Sequence, residues 1–271
     1  MKYSILVTAK KLSELKELFK SIEEIDYDKD SFEVVAVVEE IDVKLSPNFR
    51  LVFKKIDKKG IAAGRNEGIK VASGDIFVFT DSDCKVPKNW LSTLEKYDED
   101  AIAGNARLYY KTKFGKFASF IGYPAGGNLG FEKVFEVEKG YASQLSTCNA
   151  AIKSKIARKL KFDENLMGSE DKDISIRLIE KGYKIKYAPD WYVFHPSKDY
   201  INEFAKWMFN RGKHAYYFVK KYRKSKKDWK KHVASILKLS FPANVITFFL
   251  FSLGFLIQLV GYVSCHVKIY K

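Results

Sequence analysis

Short apolar runs alternate with helical patterns over the first 80 residues, and this alternation constrains the fold more than any other feature. The runs are as short as buried strands and fall at 3–8, 32–38, 50–55 and 76–80. Between them, residues 12–25 and 61–71 repeat apolar side chains at helical spacing, and Gly74 takes the place of a helix C-terminal cap. Strands alternating with helices predict an α/β fold with a mixed, mainly parallel sheet.

Acidic residues follow two of these predicted strands. Glu39 comes after the second strand, and Asp81-Ser82-Asp83 comes directly after the strand at 76–80. Ligands of open α/β sheets bind at the carboxyl ends of strands. Two carboxylates there can hold Mg²⁺ or Mn²⁺ that bridges phosphate oxygens, although Asp-X-Asp also occurs by chance as a turn or a helix cap.

A second acidic cluster, Glu170-Asp171-Lys172-Asp173, begins a helix predicted over 171–181 and ended by Gly182. Carboxylates at a helix N-terminus can simply cap the helix and interact with its dipole. One of them can instead act as a general base that takes a proton from an attacking hydroxyl. The sequence leaves both roles open.

The intervening segment is less regular. Residues 101–140 contain glycines and aromatic side chains and predict a strand followed by a loop. Residues 153–160 predict a helix, and residues 184–187 predict a strand.

The positive charge is concentrated near the C-terminus. The chain carries a net charge of +15, and residues 220–238 hold nine basic side chains against the single acid Asp228. Such a charge can mark nucleic-acid binding. Because the cluster precedes an uncharged apolar run, it favours anionic lipid instead, with a solvated charged face as the alternative.

The C-terminal third predicts an attachment to a membrane. Apolar residues recur at helical steps over 200–218, which suits either an interfacial helix within 199–239 or packing against the core. Residues 241–263 carry no charge and are long enough for one crossing, so 240–264 is expected to be a transmembrane or membrane-embedded helix. A buried helix of the soluble domain is the alternative.

The sequence also suggests a compartment. The chain begins with a strand-like segment rather than a signal peptide, and its three cysteines are too scattered for a disulfide framework or a zinc site. The catalytic part is therefore expected on the cytoplasmic side of the membrane.

Four groups of residues, taken together, resemble the family 2 glycosyltransferases, whose nucleotide-binding half has the GT-A fold. They are KGIAAGRNEG at 59–68 with SGDIFVFTDSDC at 73–84, then TCNAAI at 147–152, FDE at 162–164 and GSEDKDISIRL at 168–178. They run in the order of the family and, with the first strand, cover about residues 1–195. The resemblance implies a GT-A catalytic domain over 1–198.

The resemblance also implies roles for individual residues. It makes Asp83 the principal metal ligand, assisted by Asp81 and by His195, and it makes Asp171 of the Glu170-Asp171 pair the base of an inverting transfer. Donor-binding positions would be Thr8, Ala9, Glu39, Arg65, Asp81, Arg211 and Lys213. Glu39 stands where the family usually has an Asp. Arg65 and His195 have structural alternatives, as a helix-surface ion-pair partner and a core histidine.

The function implied is an inverting, metal-dependent glycosyltransferase that uses a UDP- or GDP-sugar. Its acceptor would be membrane-associated, such as a polyprenyl phosphate or a lipid-linked glycan, and nucleic acid is not expected as a partner. The Gln-X-X-Arg-Trp pattern of processive synthases is missing, which favours a single transfer. A metal-dependent nucleotidyltransferase, or a non-catalytic lipid- or nucleic-acid-binding module, is the alternative. The first lacks a Gly-rich phosphate loop at residues 8–11, and the second leaves the acidic clusters without a role.

Overall fold

The computed structural model describes residues 2–57, 60–222 and 245–267. Its nine strands are β1 Tyr3–Lys11, β2 Phe32–Glu40, β3 Arg50–Lys55, β4 Ile76–Thr80, β5 Ala101–Tyr109, β6 Val137–Glu138, β7 Tyr141–Ala142, β8 Asn149–Lys153 and β9 Ile185–Pro196. The α-helices are α1 Lys16–Glu23, α2 Ile61–Val71, α3 Trp90–Leu94, α4 Lys113–Ala118, α5 Phe131–Val134, α6 Ser154–Leu160, α7 Glu170–Glu180, α8 Ile201–Tyr222 and α9 Val245–Val267.

All nine strands form one sheet in the order β3-β2-β1-β4-β8-β5-β9-β7-β6. The first four strands are parallel. Strands β1, β2 and β4 carry almost unbroken buried runs, as is typical of parallel strands inside a sheet, whereas the edge strand β3 is partly exposed. The strands predicted at 50–55 and 76–80 and the helix predicted at 61–71 are confirmed. Their carboxyl ends converge on one edge of the sheet.

The second half of the sheet departs from the expected parallel arrangement. Strand β8 enters antiparallel between β4 and β5, and among the described residues four of the eight strand pairings are parallel. The sheet is therefore mixed, and most of its paired residues lie in parallel strands, as expected. Strand β8 was not predicted, because its short, alanine-rich segment overlaps TCNAAI and carries too few β-branched residues to predict a strand.

Two local predictions are wrong in detail. Helix α2 ends at Ala72 in an extended conformation, so Gly74 is not its cap. A Cβ at Gly74 would lie 2.6 Å from the backbone nitrogen of Ser4, and glycine is required there for close packing against β1. The strand predicted at 184–187 continues as far as Pro196, through a bulge opposite Gly104 and Asn105, and it therefore includes His195.

Helices α8 and α9 pack against each other as a pair, called the helical hairpin below. The buried side chains Phe204 and Met208 of α8 join Ala118 and Ile121 in a small apolar cluster, so one face of α8 packs against the domain. At its C-terminal end, Tyr222 donates a hydrogen bond of 2.7 Å to the buried carboxylate of Asp173 on α7. The basic residues 223–238 lie outside the described residues.

In the parts of the chain that the structure describes, no helix is long and apolar enough to cross a membrane. The crossing expected over 240–264, of which 240–244 lie outside the described residues, is therefore not supported. One face of α9 is occupied instead by α8.

Candidate active site

A cavity of about 330 Å³ lies at the carboxyl edge of the sheet. Strand β4 ends at Thr80 and delivers Asp81, Ser82 and Asp83 to the cavity wall, while β1 contributes Thr8. Strand β9 contributes His195, and helix α8 contributes Arg211 from the other side. Five of the residues singled out in the sequence, 8, 81, 83, 195 and 211, thus line one cavity.

The side chains of Asp83 and His195 form the core of a potential metal site. The Nε2 atom of His195 lies 3.4 Å from Oδ1 of Asp83 and 3.9 Å from Oδ2 of Asp81. Its Nδ1 atom lies 2.8 Å from the carbonyl oxygen of Pro196, which accepts the Nδ1 proton in the neutral ring. The lone pair of Nε2 then faces carboxylate oxygens, and a divalent cation between these atoms would satisfy all of them. The residues therefore fit Mg²⁺ or Mn²⁺.

Cys84 is a neighbour of this site that the sequence did not identify. Its sulfur, one Asp83 oxygen and one His195 nitrogen lie within 4.8 Å of one another. The thiol is fully buried, and burial raises its pKa well above the usual range. Carboxylate oxygen and imidazole nitrogen therefore suit a hard divalent cation better than this sulfur does. Its position directly after Asp83 was the only signal in the sequence.

Arg65 connects the two acidic clusters. Helix α2 directs its side chain inward, where only 4% of the residue is exposed, and its guanidinium forms an ion pair with Glu170 and another of 3.3 Å with Asp81. The alternative of a helix-surface ion pair is therefore wrong. Glu170 is thus paired with Arg65. Burial raises the pKa of Asp81, and the charges of Arg65 and His195 oppose this increase.

Asp171 lies in the first turn of α7 and is not among the residues that line the cavity. One carboxylate oxygen accepts a 2.7 Å hydrogen bond from the backbone nitrogen of Lys172, so the capping role has some basis. Burial and the adjacent Glu170 charge raise the pKa of Asp171 to about 7, whereas Arg65 and Arg211 oppose the shift. A carboxyl group that titrates near neutral pH suits a general base.

The remaining donor-binding predictions separate into two groups. Thr8 lines the cavity, whereas Ala9 packs against the core and Glu39 and Lys213 are not among the lining residues. The Lys213 ammonium instead lies 6.0 Å from the ring centre of Phe209. Several further lining residues were missed in the sequence, among them Tyr123, Lys198 and Trp207. Trp207 precedes Arg211 by four residues, and this helical spacing was the available signal.

A family model described as "Glycosyl transferase family 2" matches residues 5–160, which is more than half of the chain. The chain belongs to glycosyl transferase family 2. The match includes Asp81 and Asp83 and ends before Asp171, His195 and Arg211. Family 2 membership removes the basis for the nucleotidyltransferase and the non-catalytic binding-module alternatives, since it accounts for the acidic motif and the sheet together.

Curated relatives support the same family. Glycosyltransferase AglE of Haloferax volcanii is 26% identical over 165 residues, which cover 58% of this chain and 51% of AglE. The chain thus spans about half the length of that relative. The uncharacterized glycosyltransferase MJ1057 of Methanocaldococcus jannaschii is 28% identical over 221 residues, covering 74% of this chain and 71% of MJ1057.

Solved structures share the fold. The mannosyltransferase PcManGT of Pyrobaculum calidifontis, solved with GDP-Man and Mn²⁺, aligns with 99% of this chain and 79% of its own at a TM-score of 0.61 and 17% identity. TarS of S. aureus, solved with UDP-GlcNAc, aligns with 81% of this chain and 67% of its own at a TM-score of 0.53 and 17% identity. The GT-A-like α/β fold expected for family 2 is thereby confirmed.

Proposed function

We propose that this protein transfers a sugar, with inversion at the anomeric carbon, from a UDP- or GDP-sugar to an acceptor at a membrane surface. The observation that carries the proposal is the arrangement at the carboxyl edge of the sheet. Asp81, Asp83 and His195 converge there, and Arg65 joins Asp81 to Glu170, which precedes Asp171. Donor site and candidate base are therefore held in one connected network.

The donor side of the cavity would bind a nucleotide diphosphate through a divalent cation held by Asp83, Asp81 and His195. When bound, such a cation neutralises the charge that grows on the leaving diphosphate. Mn²⁺ accompanies GDP-Man in PcManGT and accompanies UDP and GalNAc in GalNAc-T7, which supports Mn²⁺ or Mg²⁺ for this chain. Thr8 is proposed to contact the nucleoside. Ala9 and Glu39, near the ends of the adjacent parallel strands β1 and β2, are proposed to support this part of the donor site.

Asp171 is proposed to act as the base. In an inverting transfer, an acceptor hydroxyl attacks the anomeric carbon from the face opposite the diphosphate. The new carbon–oxygen bond forms as the bond to the diphosphate oxygen breaks, and the hydroxyl proton passes to the Asp171 carboxylate. Glu170 is held by Arg65 and is proposed to keep Asp171 in position. A positioned base contributes about 10²–10⁴-fold to such a reaction.

The outer face of α9 supports a membrane-associated acceptor. Seven apolar side chains of α9 are exposed: Phe249, Leu253, Phe255, Leu256, Leu259, Val260 and Val263. The basic segment 220–238 precedes α9 in the sequence. An apolar stripe beside many positive charges fits an anionic lipid surface, with α9 lying in the plane of the interface. The cytoplasmic side is proposed, because basic segments favour it.

The proposed activity can be tested with purified full-length protein and a panel of nucleotide sugars. We expect Mn²⁺- or Mg²⁺-dependent hydrolysis of at least one UDP- or GDP-sugar, with water as a slow acceptor, and we expect chelation by EDTA to abolish it. Absence of both binding and turnover for the whole panel would refute the donor assignment.

Membrane association can be tested by flotation with vesicles of anionic or zwitterionic lipid. The double variant Leu256→Gln/Val260→Gln should lose binding to anionic vesicles, whereas Ile179→Gln, which alters an exposed apolar residue on α7, should bind like the wild type. A wild-type protein that fails to float with anionic vesicles, or that instead forms a dimer dissociated by the double variant, would contradict the lipid assignment.

A further inference from the structure

The cavity has two chemically different walls. One wall carries the carboxylates of Asp81 and Asp83 with His195. The other is formed by residues of β5, α4, α8 and the connecting segments, and it is cationic and apolar. Its two cations are Arg211 and Lys198, and its apolar side chains are Leu108, Ala118, Tyr123, Pro124 and Trp207. The carboxylates of the first wall favour a cation, whereas the positive side chains of the second favour an anion, so one ligand group does not satisfy both walls.

Arg211 is half-buried and has an unusual environment for a cation. Its guanidinium lies 3.7 Å from the ring centre of Tyr123 and 5.5 Å from that of Trp207. Its Nε atom is buried without a hydrogen-bond partner among the described residues. A buried donor left unpaired costs about 1–3 kcal/mol, so an anion that accepts from Arg211 would be favoured.

Neither cation is neutralised by the protein residues that the structure describes. No ion pair within 4.0 Å joins Arg211 or Lys198 to a carboxylate there, in contrast to Arg65, which has two. Aromatic rings beside Arg211 stabilise its charge but do not replace an anion. The cavity therefore presents two positive side chains to whatever occupies its second wall.

The apolar part of this wall rests on a packed cluster. Ala118 belongs to the cluster that contains Phe204 and Met208 of α8, and Leu250 and Ile257 of α9 pack against that cluster. Tyr123, Pro124 and Trp207 line the cavity together with Arg211. Charged and apolar side chains in one lining suit a ligand with a phosphate at one end and a hydrocarbon chain at the other.

We propose that Arg211 and Lys198 bind the phosphate of a lipid-linked acceptor whose hydrocarbon chain passes Tyr123 and Trp207. This inference rests on the proposed function and assigns the acceptor half of the same cavity. It differs from the role that the sequence suggested for Arg211, which was contact with the donor diphosphate. In this assignment the donor diphosphate binds at the wall that carries Asp81 and Asp83.

Two acceptors share this chemistry. In a lipid monophosphate, a phosphate oxygen attacks the anomeric carbon as the bond to the donor diphosphate breaks, and no proton needs to be removed. In a lipid-diphosphate sugar, a sugar hydroxyl attacks and its proton passes to Asp171. The variant Asp171→Asn distinguishes them, since it should retain transfer to the first and lose transfer to the second.

The test compares Arg211→Gln and Lys198→Gln with Lys206→Gln, a control that removes an exposed lysine of α8 outside the cavity. Farnesyl phosphate and a farnesyl-diphosphate-linked sugar serve as acceptors, and farnesol serves as the uncharged analogue. Calorimetry measures acceptor binding, initial rates give both KM values, and donor hydrolysis without acceptor is followed separately. Circular dichroism shows whether each variant is folded.

We expect the first two variants to weaken binding of a phosphate-bearing acceptor by about tenfold or more, because each removes a charge-assisted contact. Their KM for the donor should change by less than their KM for the acceptor, and Arg211→Lys should recover part of the loss. Farnesol should bind the wild type much more weakly than farnesyl phosphate.

Other outcomes would overturn the assignment. A raised donor KM in Arg211→Gln with unchanged acceptor binding would return Arg211 to the donor diphosphate. Equal binding of farnesol and farnesyl phosphate by the wild type would remove the anion site. Failure of the proposed function would give a different result, namely no donor hydrolysis by the wild type. Acceptor binding is measured without a donor and therefore does not depend on that activity.

Discussion

The two walls of the cavity are built in different ways. At the sheet edge, charged side chains neutralise one another: Arg65 holds Asp81 and Glu170, and His195 lies against Asp83. On the hairpin side, Arg211 has aromatic neighbours but no carboxylate partner among the described residues. We therefore propose that the sheet wall is preorganised for a metal and a donor, and that the hairpin wall retains charge for a second ligand.

The two regions also differ in how they are held together. The sheet half has a core of large apolar side chains from strands and helices. In the hairpin, glycines bring the two backbones into contact: a Cβ at Gly212 would lie 1.8 Å from the carbonyl oxygen of Gln258, and a Cβ at Gly261 would lie 2.1 Å from that of Phe209. Small residues permit such close helix packing, and they leave it sensitive to one added methyl group.

The largest effect is expected at the sheet wall, from Arg65→Gln. Removing the guanidinium leaves Glu170 and Asp81 without their cation, which typically costs about 3–5 kcal/mol for a buried pair. Transfer should fall by about 10²-fold or more. Lys70→Gln, which removes an exposed ion pair on the same helix, should change the unfolding free energy by less than about 1 kcal/mol. Urea unfolding and initial rates measure both, and equal effects of the two substitutions would contradict the network.

The hairpin can be perturbed by a matched pair of substitutions. In Gly212→Ala the new methyl group meets the backbone of α9, and we expect a loss of about 1–3 kcal/mol in unfolding free energy. In Gly254→Ala the new methyl group lies 2.8 Å from the end of the Met208 side chain, which is flexible and can move. Thermal unfolding should show a clear decrease in Tm for the first and little change for the second. A similar decrease for both would mean that backbone contact does not hold the hairpin.

A smaller effect is expected from pH. The raised pKa of Asp171, about 7, means that its carboxyl group is protonated and unable to accept a proton at lower pH. For a hydroxyl acceptor, kcat/KM should therefore rise about tenfold per pH unit up to about pH 7 and then level off. A profile that is flat from pH 5 to 8 would remove Asp171 as the base.

The smallest effect is expected from Glu39→Asp, which installs the side chain that the family usually carries at this position. Glu39 is not among the residues that line the cavity, so donor KM should change by about threefold or less. Steady-state kinetics with a UDP- and a GDP-sugar would measure it. A change of 100-fold for one of the two donors would show that Glu39 reads the nucleotide base directly.

The sheet wall was easier to predict from the sequence than the hairpin wall, for a physical reason. Residues 76–80 are apolar, end at an acidic motif and are bounded by glycine and charged residues, so local pattern alone places Asp81 and Asp83 at a strand end. Strand β8 lacks such a pattern. For β9, the predicted strand ends at residue 187 because Pro189 and Asp190 interrupt the apolar run.

The contacts that define the site were not available from local pattern. Arg65 and Glu170 are separated by 105 positions, and only the folded sheet brings them together. Helical periodicity at position 65 is the same for an exposed ion-pair partner and for a site residue, so it could not distinguish these two roles of Arg65. Likewise, Tyr123 and Arg211 lie on different elements, and neither carries a motif that indicates their stacking. Long-range packing therefore decided which predicted residues share the cavity.

The central claim is that Asp83 serves donor binding and Asp171 serves proton transfer. It is tested most directly by titrating a nucleotide sugar into wild-type, Asp83→Asn and Asp171→Asn protein with and without Mn²⁺, and by measuring transfer to a hydroxyl acceptor in the same samples. We predict that Asp83→Asn loses Mn²⁺-dependent donor binding. Asp171→Asn should bind donor like the wild type and lose transfer by about 10²–10⁴-fold. Equal loss of donor binding in both variants, or full transfer activity in Asp171→Asn, would contradict the account.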